Sequence, residues 1–141
     1  MRAFGWNPGA LGGRLYAEEI QMPCKANIRQ VGDVVIVDIF GRITLGDGTG
    51  VVRETVKDLL KEGQRNLLLN LGEVSYIDSS GLGELVGAYA TGMSQGAQLK
   101  LLNVQKRVND LLQVTKLYTV FESFTSETAA VRSFRAQAAS V

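Results

Sequence analysis

The chain has 141 residues, 45% of them hydrophobic and 21% charged, with 15 Lys and Arg against 14 Asp and Glu for a formal net charge of +1. A chain of this size and balance has room for one sizeable core, and it carries no basic excess that would point to nucleic acid or to direct insertion into an acidic membrane surface. It has no histidine and a single cysteine, Cys24, so neither Ser-His-Asp nor Cys-His catalysis, nor a His-bearing or all-thiolate zinc site, nor an internal disulfide can be assembled from it.

Residues 1–22 hold Pro8, four glycines and the only tryptophan, Trp6, with no sustained period. They read as a flexible extension ahead of a domain at 23–141, or as an over-long start before Met22. They lack the continuous apolar core of a secretory signal, and the longest apolar runs are strand-sized, so a cytoplasmic protein is expected.

From Lys25 the pattern sharpens. KANIRQ, the Val31-Gly32-Asp33 turn and VVIVDIF predict an antiparallel hairpin. The glycine-rich GRITLGDGTG then leads into VVRETVKDLLKEG, where Val52, Val56, Leu59 and Leu60 share one helical face and Gly63 is a stop signal. NLLLNL has the continuous apolar character of a strand buried on both faces. Over 80–95, Leu82, Leu85, Val86, Tyr89, Ala90 and Met93 recur at helical spacing and predict an apolar stripe.

QLKLL predicts another strand, and Val104, Val108, Leu111, Leu112 and Thr115 line one side of a further helix. Residues 118–121 predict a short last strand, and Ser126 a cap for a final helix carrying Val131 and Phe134. Strands alternating with helices predict a single α/β domain. Its mixed sheet should have four to five strands, opening on the hairpin and accompanied by four helices.

The chemically distinctive segment is Val74-Ser75-Tyr76-Ile77-Asp78-Ser79-Ser80-Gly81-Leu82-Gly83, which joins a buried strand to the strongest helix. A phosphate on Ser79 or Ser80 would sit at a helix N-terminus, where unpaired N–H groups and the helix dipole favour anions. The same residues also fit ordinary N-capping and turn formation. Gly46-Asp47-Gly48-Thr49-Gly50 lacks the Gly-Lys-Ser/Thr ending of a phosphate-binding P-loop and the spacing of a dinucleotide fingerprint. Ser80 lies in no G-x-S-x-G elbow. An enzyme is not expected, and no catalytic residue, metal or cofactor is assigned. Lys106 and Arg107 read as a solvated pair that borders the Ser80 edge or simply faces water.

YIDSSGLGELV closely resembles the signature of STAS domains in anti-sigma factor antagonists. VVIVDIFGRI, RNLLLNLGEV and QLKLLNVQKRVNDLLQVTKLYTVF resemble that family's other elements in order, over about Lys25 to Arg135. The resemblance implies a phosphorylation-controlled binding module. Its unphosphorylated form would bind an anti-sigma factor serine kinase and so free a sigma factor. Phosphorylation of Ser80 would switch binding off, and a serine phosphatase could reverse it. Asp78 then corresponds to the aspartate that supports the acceptor, with Ser79 and Gly81 as its neighbours. Family members often place an acid in a Gly-x-hydrophobic-Asp pattern, which here reads Gly41-Arg42-Ile43-Thr44, with Asp47 the nearest carboxylate. Thr44 and Asp47, together with the stripe Gly83, Glu84, Gly87 and Thr91, are the expected partner-binding positions. The alternative is a STAS adaptor subunit, not phosphorylated, of a transport complex of the lipid-transport type or of another signalling complex.

Overall fold

The computed structural model describes residues 24–44 and 50–139. Strand β1 (Lys25–Val31) and strand β2 (Val34–Ile43) form the expected antiparallel hairpin through the Gly32-Asp33 turn, with Lys25 opposite Phe40 and Val31 opposite Val34. Strands β3 (Asn66–Ile77), β4 (Gln98–Leu102) and β5 (Ser123–Phe124) follow in parallel, and the five strands lie in the order β1-β2-β3-β4-β5. Parallel neighbours need crossovers. Helices α1 (Val51–Lys61), α2 (Ser79–Ser94) and α3 (Lys106–Thr115) supply them, and α4 (Glu127–Ala139) closes the described chain. The expected extension at residues 1–22 lies outside the described residues.

Two cores flank the sheet. The larger sets Leu67, Leu69 and Leu71 of β3 against Val56 and Leu59 of α1, Leu85 of α2 and Val108 and Leu112 of α3. The smaller sets Val34, Ile36, Leu68 and Leu102 against Ala130, Val131 and Phe134 of α4. The apolar run of β3 is thereby explained, since Leu68 points opposite to its neighbours and all four leucines are sealed from water. Each such leucine contributes roughly 1.5–3 kcal/mol by burial.

Two expectations are corrected. The last strand is not at 118–121: residues Leu117–Thr119 form a 3-10 turn and the strand comes later, at Ser123–Phe124. The chain must first turn back from α3, and Phe121 is buried in the larger core with its ring edge-on to Tyr89, centroids 5.3 Å apart. The buried face of α2 is also turned by roughly one residue, about 100°, from the predicted stripe. It consists of Gly81, Leu82, Glu84, Leu85, Ala88 and Gly92, whereas Met93 is 52% exposed and Ala90 faces water. Small residues let the helix axis approach the sheet; the bulkier side chains lie on its flank.

A polar ladder crosses the α4 side of the sheet. Arg29 Nε donates to Asp38 Oδ2 at 2.6 Å and its Nη2 to Asp38 Oδ1 at 3.0 Å, while the same guanidinium reaches Glu127 of α4 at 3.0 Å. Asn70 Nδ2 donates to Asp38 Oδ1 at 2.8 Å, and Asn103 Nδ2 donates to Asn70 Oδ1 at 3.2 Å. Further along this face lies Lys100, 4% exposed; its Nζ donates to Ser133 Oγ at 2.9 Å, pairs with Glu122 at 3.2 Å and lies 4.7 Å from the Phe134 ring centroid.

The hydrogen bond from Arg29 holds the Asp38 carboxyl below its ordinary value of 3.8. A carboxylate that binds its proton less readily folded than unfolded adds stability above the unfolded value. That stability is lost as pH falls through the folded one. Asp38→Asn is therefore expected to flatten the acid limb of the stability curve below about pH 4, measured by urea unfolding across that range.

Candidate functional site

Strand β3 ends at Ile77 and α2 starts at Ser79, so Asp78 is the hinge between them. Its backbone is extended (φ −108°, ψ −174°), and its Oδ1 accepts the Gly81 N–H at 2.8 Å while its carbonyl accepts the Leu82 N–H at 2.8 Å. Asp78 is thus the N-cap of α2. Ser79 and Ser80 occupy the first two helical positions and both are exposed. The N–H groups at those positions have no acceptor a turn earlier in the helix, and the positive end of the helix dipole lies there. A group transferred to Ser80 Oγ would enter an anion-favouring environment from the solvent side.

Gly81 fixes where this helix start sits. A Cβ built there would lie 1.9 Å from the Ile43 carbonyl oxygen, and that same oxygen accepts the Asp78 N–H at 3.4 Å. The end of β2 is therefore pressed directly against the first turn of α2. Thr44, the next residue, stands at the rim of this junction, half-buried. Asp47 lies outside the described residues.

The expected partner stripe of α2 divides. Gly83 is exposed, a Cβ added there would meet nothing within 4 Å, and it remains a smooth patch one turn from Ser80. Gly87 lies beneath the Arg53 side chain, 3.1 Å from where a Cβ would be, so it serves the packing of α1 on α2. Thr91 donates its hydroxyl to the Gly87 carbonyl at 2.9 Å.

Glu84 is corrected. It is 6% exposed, and its Oε2 accepts the Gly50 N–H at 2.5 Å and the Arg53 N–H at 3.4 Å. Its carboxylate is engaged with the N-terminus of α1 and is not offered to a partner. No local pattern announces this, because Gly50 and Glu84 are 34 residues apart.

The surroundings add Arg42, Tyr76 and Asp110 to the Lys106–Arg107 pair expected near this edge. Arg42 stacks over the Tyr76 ring, 4.9 Å from its centroid, with both residues exposed. Arg107 and Asp110 flank a shallow groove with Tyr76, Ile77, Leu111 and Val114, the last 80% exposed. Arg107 therefore shares a groove with Ile77, the residue before Asp78. Lys106, by contrast, pairs with Asp110 at 3.0 Å on the helix surface. Cys24 is buried, and desolvation, with the negative Glu84 as a second cause, pushes its thiol up to about 11, which makes it a poor nucleophile. Among the described residues there is no His, Cys, Asp and Glu cluster able to hold a metal ion, and no helix is long and apolar enough to cross a membrane.

Gly81→Ala is expected to cost about 3 kcal/mol, because the clash is with backbone and cannot be relieved by a rotamer change. Asp78→Ala should cost about 1 kcal/mol through the lost cap, and Asp78→Asn much less, since Asn is as good an N-cap. Urea unfolding of the three variants checks this order.

The STAS domain family model matches residues 25–130. The anti-sigma-B factor antagonist of Bacillus subtilis (strain 168) is 33% identical over 101 residues, covering 72% of this chain and 91% of that protein. Among solved structures, an anti-sigma factor antagonist from Mycobacterium paratuberculosis superposes with a TM-score of 0.70 at 15% identity, over 79% of this chain and 94% of that one. The Bacillus cell fate determinant SpoIIAA in its phosphorylated form superposes with a TM-score of 0.60 at 21% identity, over 77% and 98%. The five-stranded mixed sheet with its opening hairpin is thus that of a known fold, and the chain belongs to the STAS domain family, among the anti-sigma factor antagonists.

Proposed function

We propose that this chain is a phosphorylation-controlled switch. Unmodified, it binds an anti-sigma factor serine kinase and so releases a sigma factor in the cytoplasm; with a phosphate on Ser80 it lets the kinase go. The observation that carries this reading is the exposed hydroxyl of Ser80 on a rigidly seated helix start, capped by Asp78 and held against β2 at Gly81. That a Bacillus relative of the same fold exists in a phosphorylated form supports it. On this reading the protein is a binding module and not an enzyme, and a serine phosphatase resets it.

The physics favours a switch at the surface over one that unfolds. Phosphorylation adds about −1.5 to −2 charge, and at the first turn of a helix that charge is favourable to the helix itself. The penalty falls on the complex, where a desolvated phosphate between packed surfaces meets the carboxylate of Asp78 and the partner's own groups. Each 1.4 kcal/mol of such mismatch is about tenfold in affinity, so a hundredfold loss or more needs only two such increments. Gly83 and the rim at Thr44 and Arg107 are the remaining parts of the contact face. Thr44, with no carboxylate, softens the acidic environment seen by the kinase.

Incubation with the cognate kinase and ATP is expected to add one phosphoryl group by intact mass, mapped to Ser80 and absent in Ser80→Ala. Ser80→Asp should weaken kinase binding about a hundredfold, with no loss of thermal stability. A kinase that binds Ser80→Asp as tightly as the unmodified protein would sink the proposal. Binding without any mass shift would favour the adaptor reading.

A further inference from the structure

Helix α1 is preceded by its N-cap Gly50, which has a left-handed backbone (φ 96°) and, as a glycine, no side chain with which to cap the helix. The capping oxygen comes from another helix: Glu84 of α2 accepts the N–H groups of both Gly50 and Arg53. Among the described residues no Lys or Arg pairs with this buried carboxylate; the Arg53 guanidinium lies over Gly87 instead. Its negative charge is balanced chiefly by the N-terminus of α1.

Glu84 is also four residues after Ser80. Residues at this spacing are neighbours on one helix face, about 5–6 Å apart at Cβ, and like charges there repel. Ser80 is thus one turn before the cap of α1, on the same flank of α2. Ser79 is not, because it lies five residues from Glu84 and points about 100° away from Ser80 around the helix axis.

We infer that Glu84 is a positioning residue that relays the charge state of Ser80 from α2 to the first turn of α1. A phosphate on Ser80 pushes against the Glu84 carboxylate and weakens its hold on the Gly50 and Arg53 amides. The N-terminal turn of α1 loosens as a result. A partner contacting both helices would then sense the modification at two places. The inference rests on Ser80 being the modified residue and adds to that reading a route by which the signal spreads.

The test uses the full chain with phosphoserine installed genetically at position 80, so that no kinase is required, and follows amide exchange by NMR. Phosphoserine at 80 is expected to speed exchange of the Gly50 and Arg53 amides about tenfold, leaving amides of β3 unchanged. In Glu84→Gln, which keeps an acceptor but removes the charge, modified and unmodified forms should exchange alike. Phosphoserine at 79 should have little effect, and this control needs no change at Glu84 should that variant fold poorly. Exchange at Gly50 and Arg53 that is unaltered by phosphoserine at 80 would overturn the relay. So would equal acceleration from position 79, or acceleration undiminished in Glu84→Gln. Failure of a kinase to label Ser80 would bear on the proposed function alone, since the relay is measured without one.

Discussion

The structure turns on the contact between the Ile43 carbonyl and the start of α2. One backbone oxygen, at the end of one strand, accepts the amide of Asp78 and lies where any side chain at position 81 would have to be. That contact registers β2 against β3 at their C-terminal ends, where Ile43 is level with Ile77, and it sets the height of α2 above the sheet. The small residues on the buried side of α2 extend the same close approach along the helix, and the bulkier Val86 and Tyr89 are left to the flank. The exposure of Ser80 is a by-product. With position 81 turned inward against backbone, the residue before it is carried toward solvent on a frame that has no freedom to withdraw it.

Most of the architecture was legible in the residues because it rests on local signals. The Gly32-Asp33 turn, the 3.6-residue period of α1 and the continuous apolar run of β3 each have a short-range cause, and each element formed where its pattern lay. The helix start at Asp78 was legible for a similar reason, since an Asp three residues before a glycine at the head of a helix is itself a local arrangement. The misreadings share the opposite property. The facing of α2 is decided by contact distance to the sheet, a quantity that a hydrophobic pattern does not contain; glycine and alanine carry little hydrophobic weight yet win the closest positions. Residues 118–121 have strand-like composition, but the chain needs them to reverse direction after α3, and Phe121 is better buried than extended. Glu84 looked like a surface acid in helical register with Ser80. Its role as a cap depends on a helix 34 residues earlier in the chain, which no window of sequence can join to it.

The two sides of the sheet are built on different physics. Three helices cover one side with an almost wholly apolar core, as β-α-β crossovers require. The other side has a single helix, and beyond it the sheet is finished with polar groups, from Glu127 through Arg29 and Asp38 to Asn70 and Asn103. Such a row satisfies side chains that would otherwise be half-buried without partners, and it ties α4, β1, β2, β3 and the segment after β4 in one fixed order.

Lys100 gives this second side a further consequence. Its ammonium is almost sealed from water, and its neutralising groups come from the two last elements of the described chain: Glu122 beside β5, and Ser133 with the Phe134 ring on α4. A partly made polypeptide, as it leaves the ribosome, has the whole sheet-forming run through β4 before it has any of these. Without them the ammonium would be a buried charge with no partner, a costly state. Burial of this one charge is therefore tied to the docking of α4, so the smaller core cannot be sealed without also satisfying Lys100.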